Sequence, residues 1–206
     1  GWTTSEEFAV SAKDDRDLPY KLFGKKLAWA MGYTSILNVP VRPHQIKNQI
    51  ATDADVLGWR FEADGAVSRF LADCKDTHNL AVERVFWVKG LAEYWGASQV
   101  LLLKKRIPPN ARWMAEQLGV RCADSELVPR IEEELRLNEL KGPYFDESGL
   151  AALEIAGGLA RESDYRRVAN FLSFEAWVMP PKDRLKSLLE LFRTREINRT
   201  MNPEEH

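Results

Sequence analysis

The stretch TDADVLGWRFEADGAVSRFLADCKDT, residues 52–77, holds two apolar segments joined by Asp64-Gly65. An Asp-Gly pair between apolar runs is a strong hairpin signal. ADVLGWRF therefore predicts one strand and AVSRFLADCK the next. Both carry acids, Asp55 and Asp73, where a sheet interior favours none. Desolvating a carboxylate is costly unless it is paired or holds a metal. Either these are strand ends that reach water and form plain salt bridges, or several charges converge on one point.

Strand side chains alternate, so Asp73 and Lys75 share a face and Cys74 takes the other, where a small thiol suits burial. Residues 55 and 73 lie equally far from the turn, which predicts that they come close across the antiparallel pair. Two neighbouring carboxylates suit a hard divalent cation with oxygen ligands. Lys75 beside that ion would position or deprotonate a water, or steady charge on a phosphorane-like transition state. The role of base requires a lowered pKa.

Upstream, LPYKLFGKKLAWAMGY spaces its apolar residues at helical intervals, with Pro19 in the first turn and Gly32 as the stop. YTSILNVPVRP reads as a strand ended by Pro40 and Pro43, followed by the loop HQIKNQIAT. Downstream, NLAVERVFWVKGLAEYWG is an amphipathic helix and SQVLLL a continuous apolar run suited to a buried strand. NARWMAEQLGV predicts another helix with Asn110 as its cap, and VRCA a short last strand. From about Val128 onward only helical periodicity is visible. The expected organisation is a polar leader (1–17), an α/β domain (18–128) and a helical region (129–206).

The 206 residues carry a formal net charge of -2, so no global basic field points to nucleic acid, although a local patch is not excluded. Two cysteines, Cys74 and Cys122, make neither a disulfide framework nor a metal-ligand spacing. A reduced, cytoplasmic setting is expected, with no membrane span and no signal peptide.

The order GYTSILNV, TDADVLGW, FLADCKDT, then WGASQVLLLKKRIPPNARWMAEQLGVRCADSELV, resembles the PD-(D/E)xK nuclease superfamily, nearest its Mrr-like restriction endonuclease branch. The resemblance covers about residues 18–128. It implies a restriction-endonuclease-like mixed sheet flanked by helices, followed here by an all-α C-terminal region. It also implies DNA as the partner and Mg²⁺ (or Mn²⁺) as the cofactor, held by Asp55 and Asp73, with Lys75 as the catalytic lysine. The implied reaction is hydrolysis of a phosphodiester that leaves a 5′-phosphate. Cutting both strands of a duplex implies two active sites, hence a homodimer or a larger assembly. The acid-x-Lys triplet alone is a weak signal, and the order of elements around it supplies the specificity. One feature departs from the pattern. The first helix of the family often supplies a Glu to the metal, whereas YKLFGKK offers Lys21 and Lys25 and no acid. Water or another acid would then take that place, Asp53 being near in sequence. The departure favours the alternative of a catalytically inactive nuclease-like module that binds nucleic acid or a protein partner in a defence or repair assembly.

Further cations fall where a phosphate-binding edge is expected. Arg42 and Lys47 lie in the loop after the first strand, His78 three residues past Lys75, and Lys104, Lys105 and Arg106 at the end of VLLL. A merely solvated charged rim is the competing reading. Trp87, Trp95, Trp113 and Trp177 fall on expected helices and are read as core residues.

Overall fold

In the computed structural model, residues 16–41, 51–77, 80–142, 144–147 and 181–193 are described. The hairpin forms where Asp64-Gly65 demands it. Gly65 takes φ +82°, a left-handed conformation that a glycine adopts without steric cost. The Asp64 carboxylate accepts the Ala66 N–H at 2.9 Å, and Glu62 N–H closes the turn on the Ala66 carbonyl, also at 2.9 Å. Strands β2 (Thr52–Phe61) and β3 (Val67–Lys75) leave this turn antiparallel, with Val56 opposite Ala72 and Phe61 opposite Val67.

Strand β1 (Thr34–Val41) pairs antiparallel with β2. Beyond β3 the sheet turns parallel, through β4 (Gln99–Lys104) and β5 (Arg121–Asp124). The spatial order is β1-β2-β3-β4-β5. Helices α1 (Leu18–Ala30), α2 (Ala81–Trp95) and α3 (Pro109–Gln117) precede or connect the strands. This is an α/β mixed sheet with flanking helices, the fold class that the sequence implies. A meander needs only tight turns, whereas each parallel step needs a crossover helix, and the apolar periodicity of α2 and α3 supplies both.

The core lies between sheet and helices. Val56, Leu57, Leu71, Ala72, Cys74, Leu102, Leu103, Val85 and Val88 are all fully buried. Helix α1 packs unusually close. A methyl added at Gly24 would sit 3.1 Å from Val56, 3.2 Å from Leu103 and 3.7 Å from Ala72. That approach lays the second turn of α1 against β2, β3 and β4.

Four local expectations are corrected. Pro40 does not end β1, which continues to Val41; β1 is the edge of the sheet, where the missing N–H breaks no ladder. Asn110 is not the cap of α3, since Pro108 precedes the first turn and the Asn110 side chain accepts from Ala111 N–H instead. Trp95 is buried as expected, but Trp87 and Trp113 are 44% and 61% exposed. Trp177 lies outside the described residues.

The chain divides into two compact units, Gly1–Glu147 and Ser148–His206. The first continues past Val128 through α4 (Val128–Glu134), a 3₁₀ turn (Leu137–Glu139) and Tyr144. The Tyr144 hydroxyl donates to the Ser35 carbonyl at 2.9 Å and accepts the Ser35 N–H at 2.7 Å. Of the second unit, helix α5 (Pro181–Arg193) is described, with Asp183 in its first turn and Arg193 in its last, both favourable to the helix dipole. The rest of the expected all-α region lies outside the described residues. Among the described residues no helix is long and apolar enough to cross a membrane.

Gly24→Val should destabilise the first unit by about 1–3 kcal/mol, because overpacking against the sheet outweighs the gain in helix propensity. Urea unfolding would measure it, and an unchanged midpoint would contradict the close docking of α1.

Candidate active site

The backbone ladder between β2 and β3 stops at Val56 and Ala72. Past that point a side chain replaces the missing rung: Asp55 Oδ2 accepts the Cys74 N–H at 2.8 Å. Asp55 is therefore held inside, at 4% exposure, by the strand it was expected to face. On its other side, Leu37 pairs with Val56 and Val39 with Ala54, so Asn38 stands opposite Asp55. Asn38 has φ +53°, which asparagine tolerates better than most residues.

Lys21, in the first turn and a half of α1, reaches into this place. Its amine donates to Asn38 Oδ1 at 2.8 Å and lies 3.3 Å from Asp55 Oδ1. Lys75, the last residue of β3, places its amine 3.6 Å from Asp55 Oδ2. The same amine is 2.8 Å from Asp17 Oδ2, while Asp17 Oδ1 accepts the Asp76 N–H at 2.6 Å.

Asp73 is met by helix α2. Val56 and Ala72, a register pair, both lie under Gly24 of α1, so alternation turns Asp55 and Asp73 alike to the face away from it. There Arg84 of α2 takes both of its oxygens, Nε donating to Oδ2 at 2.9 Å and Nη2 to Oδ1. Paired forks of this kind are strong and directional. The Arg84 guanidinium also lies over the Trp87 ring, 5.7 Å from its centroid.

Burial raises the pKa of Asp55; Lys75, Lys21 and the Cys74 N–H draw it back, Asp73 pushes it further up, and the net direction is up. For Lys75, burial works downward, but the carboxylates of Asp55, Asp17 and Asp73 outweigh it and hold the amine above the ordinary lysine value. Lys75 is accordingly a cation at neutral pH, and the lowered pKa required of a base is not found. Burial also opposes ionisation of Asp17, yet Lys75, the Asp76 N–H and Lys21 together hold it below the usual carboxylate range.

Asp55, Asp73 and Lys75 thus all reach the adjoining ends of β2 and β3, with Asp55 and Lys75 in direct ion contact and Asp73 locked to Arg84. Among the described residues no three His, Cys, Asp or Glu side chains group as a ready metal cage. Asp53 is exposed. The third acid that does arrive is Asp17, assigned from sequence to the leader because nothing in DDRDLPY separates a helix-flanking acid from its neighbours. Arg84 was hidden in the same way, as one charge on an amphipathic helix.

The rim divides. Arg42, Lys47 and His78 lie outside the described residues. Lys104, expected on the phosphate-binding edge, is instead fully buried, its amine donating to the Thr77 carbonyl at 2.6 Å and the Thr77 hydroxyl at 2.8 Å. The parallel register sets Lys104 beside Lys75 at the inner strand of the sheet, which turns it inward. Lys105 and Arg106 are exposed, and Lys105 lies 3.5 Å from Asp76. Lys105 N–H bonds the Lys75 carbonyl at 3.3 Å, so this basic corner adjoins the acid–lysine cluster.

Fold and site together define an α/β domain with an acid–lysine cluster at the ends of a central hairpin. No family model matches the chain, and no curated protein does. Among solved structures it is similar to a repair endonuclease from Pyrococcus abyssi, with 18% sequence identity and a TM-score of 0.34. The match covers 54% of this chain and 46% of that one, less than half of the other protein's length.

Cys74 is enclosed by the site. Burial first, then Asp55 and Asp73, drive its pKa well above the ordinary thiol value, and burial pushes Cys122 up to about 11. At neutral pH a thiol reagent should leave Cys74 unmodified until urea unfolds the chain. Cys122 should react about a hundredfold more slowly than in the unfolded chain, from its reduced thiolate fraction. Rapid labelling of Cys74 in the native protein would contradict its enclosure.

Proposed function

We propose that the first unit is a nuclease-like domain that hydrolyses DNA phosphodiester bonds in a divalent-metal-dependent manner, with Asp55, Asp73 and Lys75 as its working residues. The observation that carries this reading is Asp55: a buried carboxylate set where the β2–β3 ladder stops, with the Lys75 amine 3.6 Å away. Asp73, near the end of the adjoining strand β3, is buried as well. The donor set suits Mg²⁺, which commonly binds through one or two carboxylates, keeps several waters and completes its shell with substrate phosphate. Asp55 and Asp73 would hold it. When bound, such an ion supplies Lewis acidity and a more acidic water.

The chain's own groups do the rest. Lys75, kept protonated by its carboxylate neighbours, steadies negative charge that develops on a phosphate oxygen. Asp17 orients that amine from the N-terminal end of α1. Lys105 and Arg106, exposed beyond the end of β4, supply positive charge for the backbone of the strand being bound.

A second reading rests on a different observation. Asp17, Asp55 and Asp73 are already matched by Lys75, Lys21 and Arg84, and Arg84 holds both oxygens of Asp73. That balance favours a module that binds nucleic acid or a protein partner without cutting.

Plasmid and single-stranded DNA incubated with Mg²⁺, Mn²⁺ or EDTA separate the two. The first reading expects metal-dependent cutting, reduced about a hundredfold or more in Lys75→Ala and Asp73→Asn. Binding without cutting under every condition replaces it by the second. No affinity for DNA at low salt, where phosphate contacts are strongest, rejects DNA as the partner in both.

A further inference from the structure

We propose that Lys21 is a resident counter-ion of the acid pair, competing with a divalent cation for Asp55 and so setting the metal affinity of the site. The inference rests on the reading of Asp55 as a metal ligand given above.

The two oxygens of Asp55 are not equivalent. Oδ2 is tied to the protein by the Cys74 N–H at 2.8 Å and faces Lys75 at 3.6 Å. A metal approaching Asp55 therefore has Oδ1 as its natural ligand. Lys21 lies 3.3 Å from that oxygen. Two like charges cannot share it, since a carboxylate oxygen in a partly desolvated site gives either cation a large part of its stabilisation.

Lys21 is also built to stay. A lysine on a helix surface usually extends its amine to water. Here the side chain is 7% exposed, and a hydrogen bond of 2.8 Å to Asn38 Oδ1 seats it. The seat depends on the left-handed backbone at Asn38, φ +53°. The close docking of α1 at Gly24 fixes the other end. Arg84 on Asp73 differs: its side chain is 25% exposed and lies at the start of a helix, so it has solvent to move into. Of Lys21 and Arg84, Lys21 is the one whose displacement the fold resists.

Mn²⁺ affinity, read from the electron paramagnetic resonance signal of the free ion, tests this without any assay of activity. Wild type should bind Mn²⁺ weakly. Lys21→Met, which keeps the length of the side chain and removes its charge, should bind about tenfold tighter or more. Lys21→Arg, which keeps the charge, should stay weak. Asn38→Gly suits the same backbone and removes the amide seat; it should shift affinity in the same direction as Lys21→Met and serves if that variant fails to fold. Adding Asp55→Asn to Lys21→Met should abolish the gain. If Lys21→Met and Asn38→Gly, both folded by near-ultraviolet circular dichroism, bind no tighter than wild type while Asp55→Asn weakens binding in each, the competition is refuted and the metal site stands. If Asp55→Asn changes nothing, or no form binds Mn²⁺, the reading of Asp55 as a metal ligand fails and takes the competition with it.

Discussion

The site is organised by one requirement: a carboxylate taken out of water must find donors or cations, and Asp55 is taken out of water where two strands part. Its hydrogen bond to the Cys74 N–H replaces a backbone rung, so the acid is part of the sheet as much as of the site. Each of its other neighbours comes from a different segment: Lys21 from the first helix, Lys75 from the end of the third strand, Asn38 from the edge strand by way of Lys21. Removing the acid's partners would leave a buried charge unpaired, which costs far more than the pairing gains. The same requirement explains why α1 must dock so near the sheet, and why Gly24 faces Val56 and Leu103.

Around Asp55 the charges close into a local balance, three carboxylates against three cations, within a chain whose overall charge is also close to neutral. Such a cluster exerts little long-range pull on a polyanion. Lys105 and Arg106, by contrast, are exposed beside it.

Much of the framework was legible in the chain. Asp64-Gly65 fixes the hairpin, and the hairpin fixes the register that sets Asp55 near Asp73. The apolar run VLLL and the two amphipathic helices around it dictate the parallel half of the sheet. Partners that depend on docking rather than on pattern were not legible. Asp17 and Arg84 are single charges in charged surroundings, and only the seating of two helices on the sheet brings them to Lys75 and Asp73. Lys21 was noticed as the absence of an acid; that it would fold inward onto Asp55 follows from a left-handed asparagine that no local signal announces. Lys104 misled for a related reason, since a basic run at a strand end reads as surface until its alternation assigns the first lysine to the interior. Pro40 misled because a proline stops a central strand but not an edge one.

That proline has a bearing on assembly. An outer strand offers a row of unpaired amides on which another β-segment can grow. Along β1 the row is broken twice, by a ring nitrogen without hydrogen at Pro40 and by the reversed twist at Asn38. The lattice of amides is thus poorly suited to annealing with a foreign strand.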